Sequence, residues 1–158
     1  MKKTAFLFII LLALTGCNSK PTFDASLLIG KWVITMVDYE EGIRMQTQVT
    51  LDFENEKELN FEAKYNIEGE YVGSLTGKGK YTINGDKINM NMPESNIDFQ
   101  LNRSFFDSTA EYKMAMKEAK NEMLKEFDLG GEIKVISISP SKLILEEDEG
   151  TFEYKRRN

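Results

Sequence analysis

The feature that most constrains the fold is a repeated alternation of apolar and polar residues. Between Met45 and Phe53, for example, Met, Thr, Val, Leu and Phe alternate with Gln, Gln, Thr and Asp. Because successive side chains of a β-strand point to opposite faces, this period predicts strands with one buried face. Nine such segments are predicted, at residues 31–39, 45–53, 59–67, 70–83, 88–92, 97–101, 132–138, 142–146 and 151–155.

Short turns separate the predicted strands. Asn84-Gly85-Asp86 contains Asn-Gly, the strongest local signal of a β-hairpin. Short alternating strands at regular spacing are typical of an antiparallel meander that closes on itself. We therefore expect a mainly β fold: an antiparallel up-and-down β-barrel of about eight or nine strands. A barrel of this size is wide enough for filling side chains or for one small ligand.

One segment, from Ser108 to Phe127, departs from the period of two. Ser108-Thr-Ala-Glu111 has the form of a capping box, and residues 109–127 contain neither Gly nor Pro. The sequence predicts an α-helix at about residues 108–128, inserted before the last three strands and ended by Gly130-Gly131. Its apolar residues recur at intervals of three and four, so we expect one side to face the barrel. That side comprises Tyr112, Ala115, Met116, Ala119, Met123 and Phe127.

The first residues indicate export. Two lysines precede an apolar run, Ala5 to Leu14, which is shorter than the ~20 residues that a membrane span needs. This order is typical of a secretory signal peptide. The following Leu14-Thr-Gly-Cys17 resembles the lipobox of bacterial lipoproteins, and the resemblance implies cleavage before Cys17 and its lipidation with chains such as palmitate. We expect a signal peptide at 1–16, a lipidated tether at 17–25 and a barrel domain at 26–158.

The lipobox resemblance also implies a location in the cell envelope, with the membrane as a partner through the lipid anchor. Asn18 is not the Asp that retains many lipoproteins in the inner membrane, so we expect the outer membrane. The tether Asn18-Ser-Lys-Pro-Thr22 lacks an acidic run of the kind that directs export to the surface. This favours the periplasmic face.

Composition excludes several classes of function. The chain carries 20 basic and 26 acidic residues, a formal net charge of −6, so it has no electrostatic reason to bind nucleic acid. It has no His, which excludes His-based catalytic dyads and His-based zinc sites, and its single Cys excludes an intrachain disulfide. No spacing singles out a catalytic pair of carboxylates, and residues 146–150 lack the spacing of a calcium loop. We expect neither an enzyme nor a metal or other cofactor.

Three segments resemble parts of the lipocalins, including the lipocalin-like lipoproteins of Bacteroidota. They are Gly30-Lys31-Trp32 at the start of the first strand, the hairpin at residues 78–90 and the closing hairpin at residues 142–156. The resemblance implies a lipocalin-like barrel in which Trp32 plugs the closed end under an Arg. Both Arg156 and Arg157 are candidates for that Arg. The helix precedes three strands, whereas in vertebrate-type lipocalins it follows the eighth strand.

We expect this domain to hold a small apolar or amphipathic ligand in the mouth of the barrel. Met adapts to varied partners, and several Met residues are predicted on the fifth strand and on the helix. They are attributed first to core packing, with an adaptable apolar pocket under the helix as the second interpretation. The residues expected to contact the ligand are Tyr71, Leu75, Tyr81, Met90, Met92, Phe99, Met116 and Met123. The alternative is a filled barrel whose outer face contacts envelope proteins. In the fourth predicted strand, the glycines at 73, 77 and 79 share one parity with Tyr71 and Tyr81, and this side is expected to face inward. The glycines are attributed to barrel curvature, with free space for a ligand as the second interpretation.

Overall fold

The fold is described from a computed structural model, which defines residues 20–126, 131–148 and 150–157. The predicted signal peptide and Cys17 lie outside the described residues. The described part contains nine strands and one α-helix. They are β1 (Gly30–Glu40), β2 (Ile43–Phe53), β3 (Glu58–Ile67), β4 (Glu70–Asn84), β5 (Lys87–Asn91), β6 (Ile97–Leu101), α1 (Thr109–Glu126), β7 (Gly131–Ile138), β8 (Lys142–Glu147) and β9 (Gly150–Arg157).

Eight of the strands form a closed antiparallel barrel. Neighbours around the ring follow the order of the chain, β1-β2-β3-β4-β5-β7-β8-β9, and β9 returns to β1. This is the predicted up-and-down barrel with an inserted helix, and the prediction is confirmed. The ring leaves the inward side chains of every strand to fill one shared core.

β6 lies outside the ring of eight because it shares one edge of β4 with β5. Residues 80–84 of β4 pair with β5, and residues 73–77 of the same edge pair with β6. On the side of β6 away from β4, the Leu101 amide donates a hydrogen bond to the Met116 sulfur at 3.3 Å. The inserted helix α1 therefore packs beside β6, and both Met116 and Ala119 contact the core.

The start of α1 follows from its capping residues. The Ser108 hydroxyl accepts a hydrogen bond from the Glu111 amide at 3.1 Å, and the Glu111 carboxylate accepts one from the Asp107 amide at 3.2 Å. Both amides lie at the helix N-terminus, where no backbone carbonyl of the helix can accept from them. The predicted box thus forms, with its reciprocal bond displaced by one residue to Asp107.

The glycines of β4 permit close approach of the neighbouring backbone. They lie along the edge of β4 that pairs first with β6 and then with β5. A side chain at Gly79 would place its Cβ 2.5 Å from the Asn91 carbonyl oxygen, and one at Gly73 would stand 2.6 Å from that of Gln100. At Gly77 the space is filled by the Met92 side chain. The glycines therefore leave no free volume for a ligand.

A β-bulge reverses the predicted orientation of Tyr71. The pairing of β3 with β4 shifts between Tyr65 and Asn66, so that Tyr65 pairs with Gly73 but Asn66 pairs with Tyr71. Val72 is the extra residue, and Tyr71 shares the outer face with Asn66. The expectation that Tyr71 points inward with Gly73 was wrong. Its side chain is 39% exposed, and its hydroxyl lies 3.0 Å from that of Ser74.

Candidate functional site

The end of the barrel where β1 begins is filled with side chains, and we call it the closed end. Trp32 has no exposed surface there, and its indole N–H donates to the Leu28 carbonyl at 2.7 Å. Phe53 and Tyr81 meet edge to face with ring centroids 4.9 Å apart. The Tyr81 hydroxyl donates to the Asn55 carbonyl at 2.6 Å. Aromatic packing with satisfied polar atoms leaves this end without room for a ligand.

Arg156, and not Arg157, covers Trp32. Its guanidinium carbon lies 4.2 Å from the centroid of the Trp32 ring, a cation–π contact. The same guanidinium donates to the Ile29 carbonyl at 2.7 Å and to the Leu27 carbonyl. These bonds tie the last strand to the segment before β1. Arg157 is exposed, because β9 alternates between the two faces.

Two buried tyrosines show that the barrel core has low polarity. Burial raises the pKa of Tyr154 far above its ordinary value, and the nearby charge of Glu147 adds to the shift. Burial likewise raises the pKa of Tyr81, with a smaller contribution from Glu56. Both shifts arise because a phenolate is costly to form away from water.

The residues predicted from sequence to contact a ligand do not come together at one opening. Leu75, Tyr81, Met92 and Phe99 are buried in the core, each no more than 7% exposed. Met90 is half-buried against the same core.

The remaining three lie elsewhere. Tyr71 lies on the outer face, Met116 packs beside β6, and the Met123 side chain lies outside the described residues. The eight predicted positions therefore describe the filled interior and its surroundings.

The opposite end, at the turns β1–β2 and β3–β4, is open. On the inner face of β1, exposure rises from zero at Trp32 to 37% at Met36. On the inner face of β3, it rises from zero at Ala63 to 41% at Ile67. The apolar side chains continue along these strands after the core that would bury them has ended, and this leaves apolar surface available to a ligand.

A cavity of about 460 Å³ lies at this open end. Its volume falls within the ~300–1,000 Å³ range of small-molecule sites. The lining residues are Met36, Val37, Asp38, Met45, Gln46, Thr47, Tyr65, Asn66, Ile67 and Val72. Sequence reasoning missed all of them. The available signal was the continuation of the alternating pattern to the very ends of β1, β2 and β3, next to their turns.

The two turns beside the cavity are alike and are held together. Each places a Glu followed by a Gly at positive φ: Glu41 and Gly42 at 53° and 85°, Glu68 and Gly69 at 52° and 86°. Such pairs of residues suit tight hairpins whose twist matches that of the strands. The Arg44 amide donates to the Glu68 carboxylate, and the Glu68 amide donates to the Arg44 carbonyl at 2.9 Å. These bonds fix one wall of the cavity.

Two other cavities are more polar. One, of about 490 Å³, lies outside the closed end among Glu54, Glu58, Lys78 and Lys80. The other, of about 510 Å³, lies where β1 and β9 separate beyond Val33, and its lining includes four charged residues of β9. Because volume does not separate the three, the apolar lining singles out the open-end cavity as the candidate site.

No cluster of three or more acidic, His or Cys side chains is placed to hold a metal ion in the described part of the chain. In the same residues, no helix combines the length and the apolar character needed to cross a membrane.

Comparison with known proteins adds a likeness of fold. No protein-family model matches the sequence, and no curated protein matches it. Among solved structures, the chain is similar to a lipocalin-like protein from Bacteroides uniformis, with a TM-score of 0.46 and 18% identity. The match covers 83% of this chain and 99% of that one. At this level we transfer neither a ligand nor a binding residue from that protein.

Proposed function

We propose that this protein is a lipid-anchored binding domain that holds a small amphipathic molecule in its open-end cavity. The observation that carries the proposal is the contrast along β1, where Trp32 is fully buried and Met36, on the same inner face, is 37% exposed. A barrel filled for its own stability has no need of exposed apolar side chains around a cavity. Burying such surface against a ligand is favourable by about 25 cal/mol per Å².

The path of the N-terminal segment bears on how this cavity would face the membrane. The Thr22 amide donates to the Gly85 carbonyl at 2.9 Å, so Thr22 lies at the closed end, beside the β4–β5 turn. Cys17 precedes Thr22 by five residues, which can span at most about 17 Å. If Cys17 carries the lipid, the closed end lies toward the membrane and the cavity opens away from it. The ligand would then arrive from the aqueous side.

A second candidate function is docking of an envelope protein on the open end without a small ligand. It is favoured by apolar side chains on the outer rim of the same end, because Tyr39 is 64% and Val37 46% exposed. Contiguous exposed apolar surface of this kind also marks protein interfaces. The two functions differ in whether the isolated protein takes up a small molecule.

The binding test uses the chain from residue 17 onward with Cys17→Ser, which leaves every described residue in place. Native mass spectrometry of the protein purified from its own host is expected to reveal a bound small molecule. Titration with the neutral dye N-phenyl-1-naphthylamine is expected to give saturable fluorescence. Absence of both signals would leave the docking function as the better explanation.

Anchoring needs a separate test in cells. With Cys17→Ser in the full chain, we expect the protein to leave the membrane fraction or to keep its signal peptide. Two or more acyl chains give stable attachment to a membrane, because each buried CH₂ contributes about 0.8 kcal/mol. The Cys17→Ser variant would carry no acyl chain. Ser19→Ala, two residues away, is the control and is expected to remain membrane-bound. A mature Cys17→Ser protein that stays in membranes would place the anchor elsewhere.

A further inference from the structure

We propose that the open-end cavity selects amphipathic cations, with the Asp38 carboxylate as the counter-ion of the ligand's ammonium or guanidinium group. This inference rests on the proposed function and names the ligand class for the same cavity. Among the described residues, the lining combines apolar side chains, such as Met36, Met45 and Ile67, with a single carboxylate, that of Asp38. None of the described lining residues is a Lys or an Arg. Such a lining offers burial to an apolar tail and charge compensation to one cationic head.

Asp38 lies on the inner face of the barrel. It is six residues after Trp32 on β1, which puts it on the same face about 20 Å further along the strand. It pairs with Met45 across the β1–β2 ladder, so its side chain stands beside an apolar wall of the cavity. The carboxylate is thus placed at the rim, where a cationic head would remain in contact with water while its tail enters the cavity.

The Asp38 carboxylate has hydrogen-bonding capacity to spare. One of its oxygens accepts the Tyr39 amide at 2.7 Å, whereas an ionised carboxylate has about four acceptor positions. The ion pairs found in the described part of the chain engage other carboxylates, those of Asp52, Glu62, Glu132, Glu146 and Glu153. A ligand cation would therefore not have to displace a Lys or Arg from Asp38.

The surrounding charges favour the same sign of ligand. The two turns beside the cavity and the strand ends next to them carry four more carboxylates. These are Glu40, Glu41, Glu68 and Glu70. The nearby guanidinium of Arg44 donates to the Gln46 side chain at 3.0 Å. A negative potential at the opening attracts cations and opposes anions such as fatty-acid carboxylates.

The test compares three probes with one apolar tail and different heads: octyltrimethylammonium, octanol and octyl sulfate, all below micellar concentrations. Each displaces N-phenyl-1-naphthylamine from the Cys17→Ser protein. We expect octyltrimethylammonium to bind most tightly and octyl sulfate most weakly. Asp38→Asn is expected to weaken octyltrimethylammonium about threefold to fivefold, as for a solvent-exposed charge pair, and to leave octanol unchanged. Added salt is expected to reduce the preference for the cation.

Glu62→Gln is the matched control, because Glu62 lies on β3 away from the cavity lining and pairs with Lys64 at 3.0 Å. It should leave all three affinities unchanged. Equal binding of the three probes, or an Asp38→Asn variant with unaltered affinity for octyltrimethylammonium, would overturn cation selection while the proposed binding function stands. Failure of every probe and of the dye to bind would overturn both. Circular dichroism checks that each variant is folded.

Discussion

The two ends of this barrel use the same kinds of residue for opposite purposes. At the closed end, Arg156 covers the Trp32 ring and the indole N–H donates to the Leu28 carbonyl, so that the ring is buried with its one polar atom hydrogen-bonded. At the open end, Met36 and Ile67 occupy the same inner face but remain partly exposed. The comparison teaches that an alternating strand can supply a core at one end and a binding surface at the other.

Substitutions at the two ends of the same strands should therefore affect different properties of the protein. Substitutions at the closed end should change the free energy of unfolding, because they remove contacts in a packed core. Substitutions at the open end should change ligand affinity with little effect on folding, because their side chains are already in contact with water.

The largest effect is expected for Trp32→Ala. Removing this fully buried ring should lower the free energy of unfolding by about 3–5 kcal/mol, the usual cost of a large cavity in a core. Urea unfolding followed by circular dichroism measures it. Phe105→Ala, at a position that is 49% exposed, is the control and should cost less than about 1 kcal/mol. Equal losses of unfolding free energy in the two variants would contradict the assignment of Trp32 to a packed core.

A smaller loss is expected for Arg156→Ala. The variant loses a cation–π contact with Trp32 and the hydrogen bonds to the carbonyls of Leu27 and Ile29. We expect a cost of about 2 kcal/mol, since hydrogen bonds from charged groups contribute about 1.5–3 kcal/mol each and part is regained from water. Arg157→Ala changes the neighbouring, exposed side chain and should stay within about 0.5 kcal/mol. If urea unfolding shows a larger loss of unfolding free energy for Arg157→Ala than for Arg156→Ala, Arg156 is not the residue that stabilises the closed end over Trp32.

Alkaline pH should test the packed core through the stability of the protein. Burial raises the pKa of Tyr154 in the folded state, so the unfolded chain releases this proton first as the pH rises. The protein should lose stability from about pH 10 upward, by about 1 kcal/mol near pH 11, and keep it below pH 10. Tyr154→Phe should flatten this decline, whereas Tyr39→Phe, at a 64% exposed position, should not. If the free energy of unfolding falls equally with pH in the two variants, the buried Tyr154 is not the source of the decline.

Much of the fold was predictable because its determinants are local. Alternation and turn residues predicted the strands, and the Ser108–Glu111 box predicted the start of α1. Tyr71 was misplaced because one extra residue, Val72, shifts the register, and alternation alone cannot locate a bulge.

The candidate site was less predictable for a different reason. Alternation tells which side chains point inward, but not how deep they lie along the barrel axis. Tyr81 and Ile67 share the inward parity, yet Tyr81 is buried at the closed end and Ile67 lies at the opening. The depth of a side chain along the barrel axis depends on the stagger of all the strands together. Which of Arg156 and Arg157 covers Trp32 likewise depends on the register of β9 against β1, which pairs Arg156 with Trp32.

The smallest effect on stability, and the sharpest separation of the two ends, is expected for Ile67→Ser. Ile67 lines the cavity and is 41% exposed, so the variant should unfold within about 1 kcal/mol of the parent. Its affinity for N-phenyl-1-naphthylamine should nevertheless fall about threefold to tenfold, because the dye loses part of an apolar wall. Ile136→Ser is the matched control, since Ile136 is 46% exposed on β7, outside the cavity lining. If both variants weaken the dye equally, binding follows exposed apolar surface in general, and the open end is no more a site than β7.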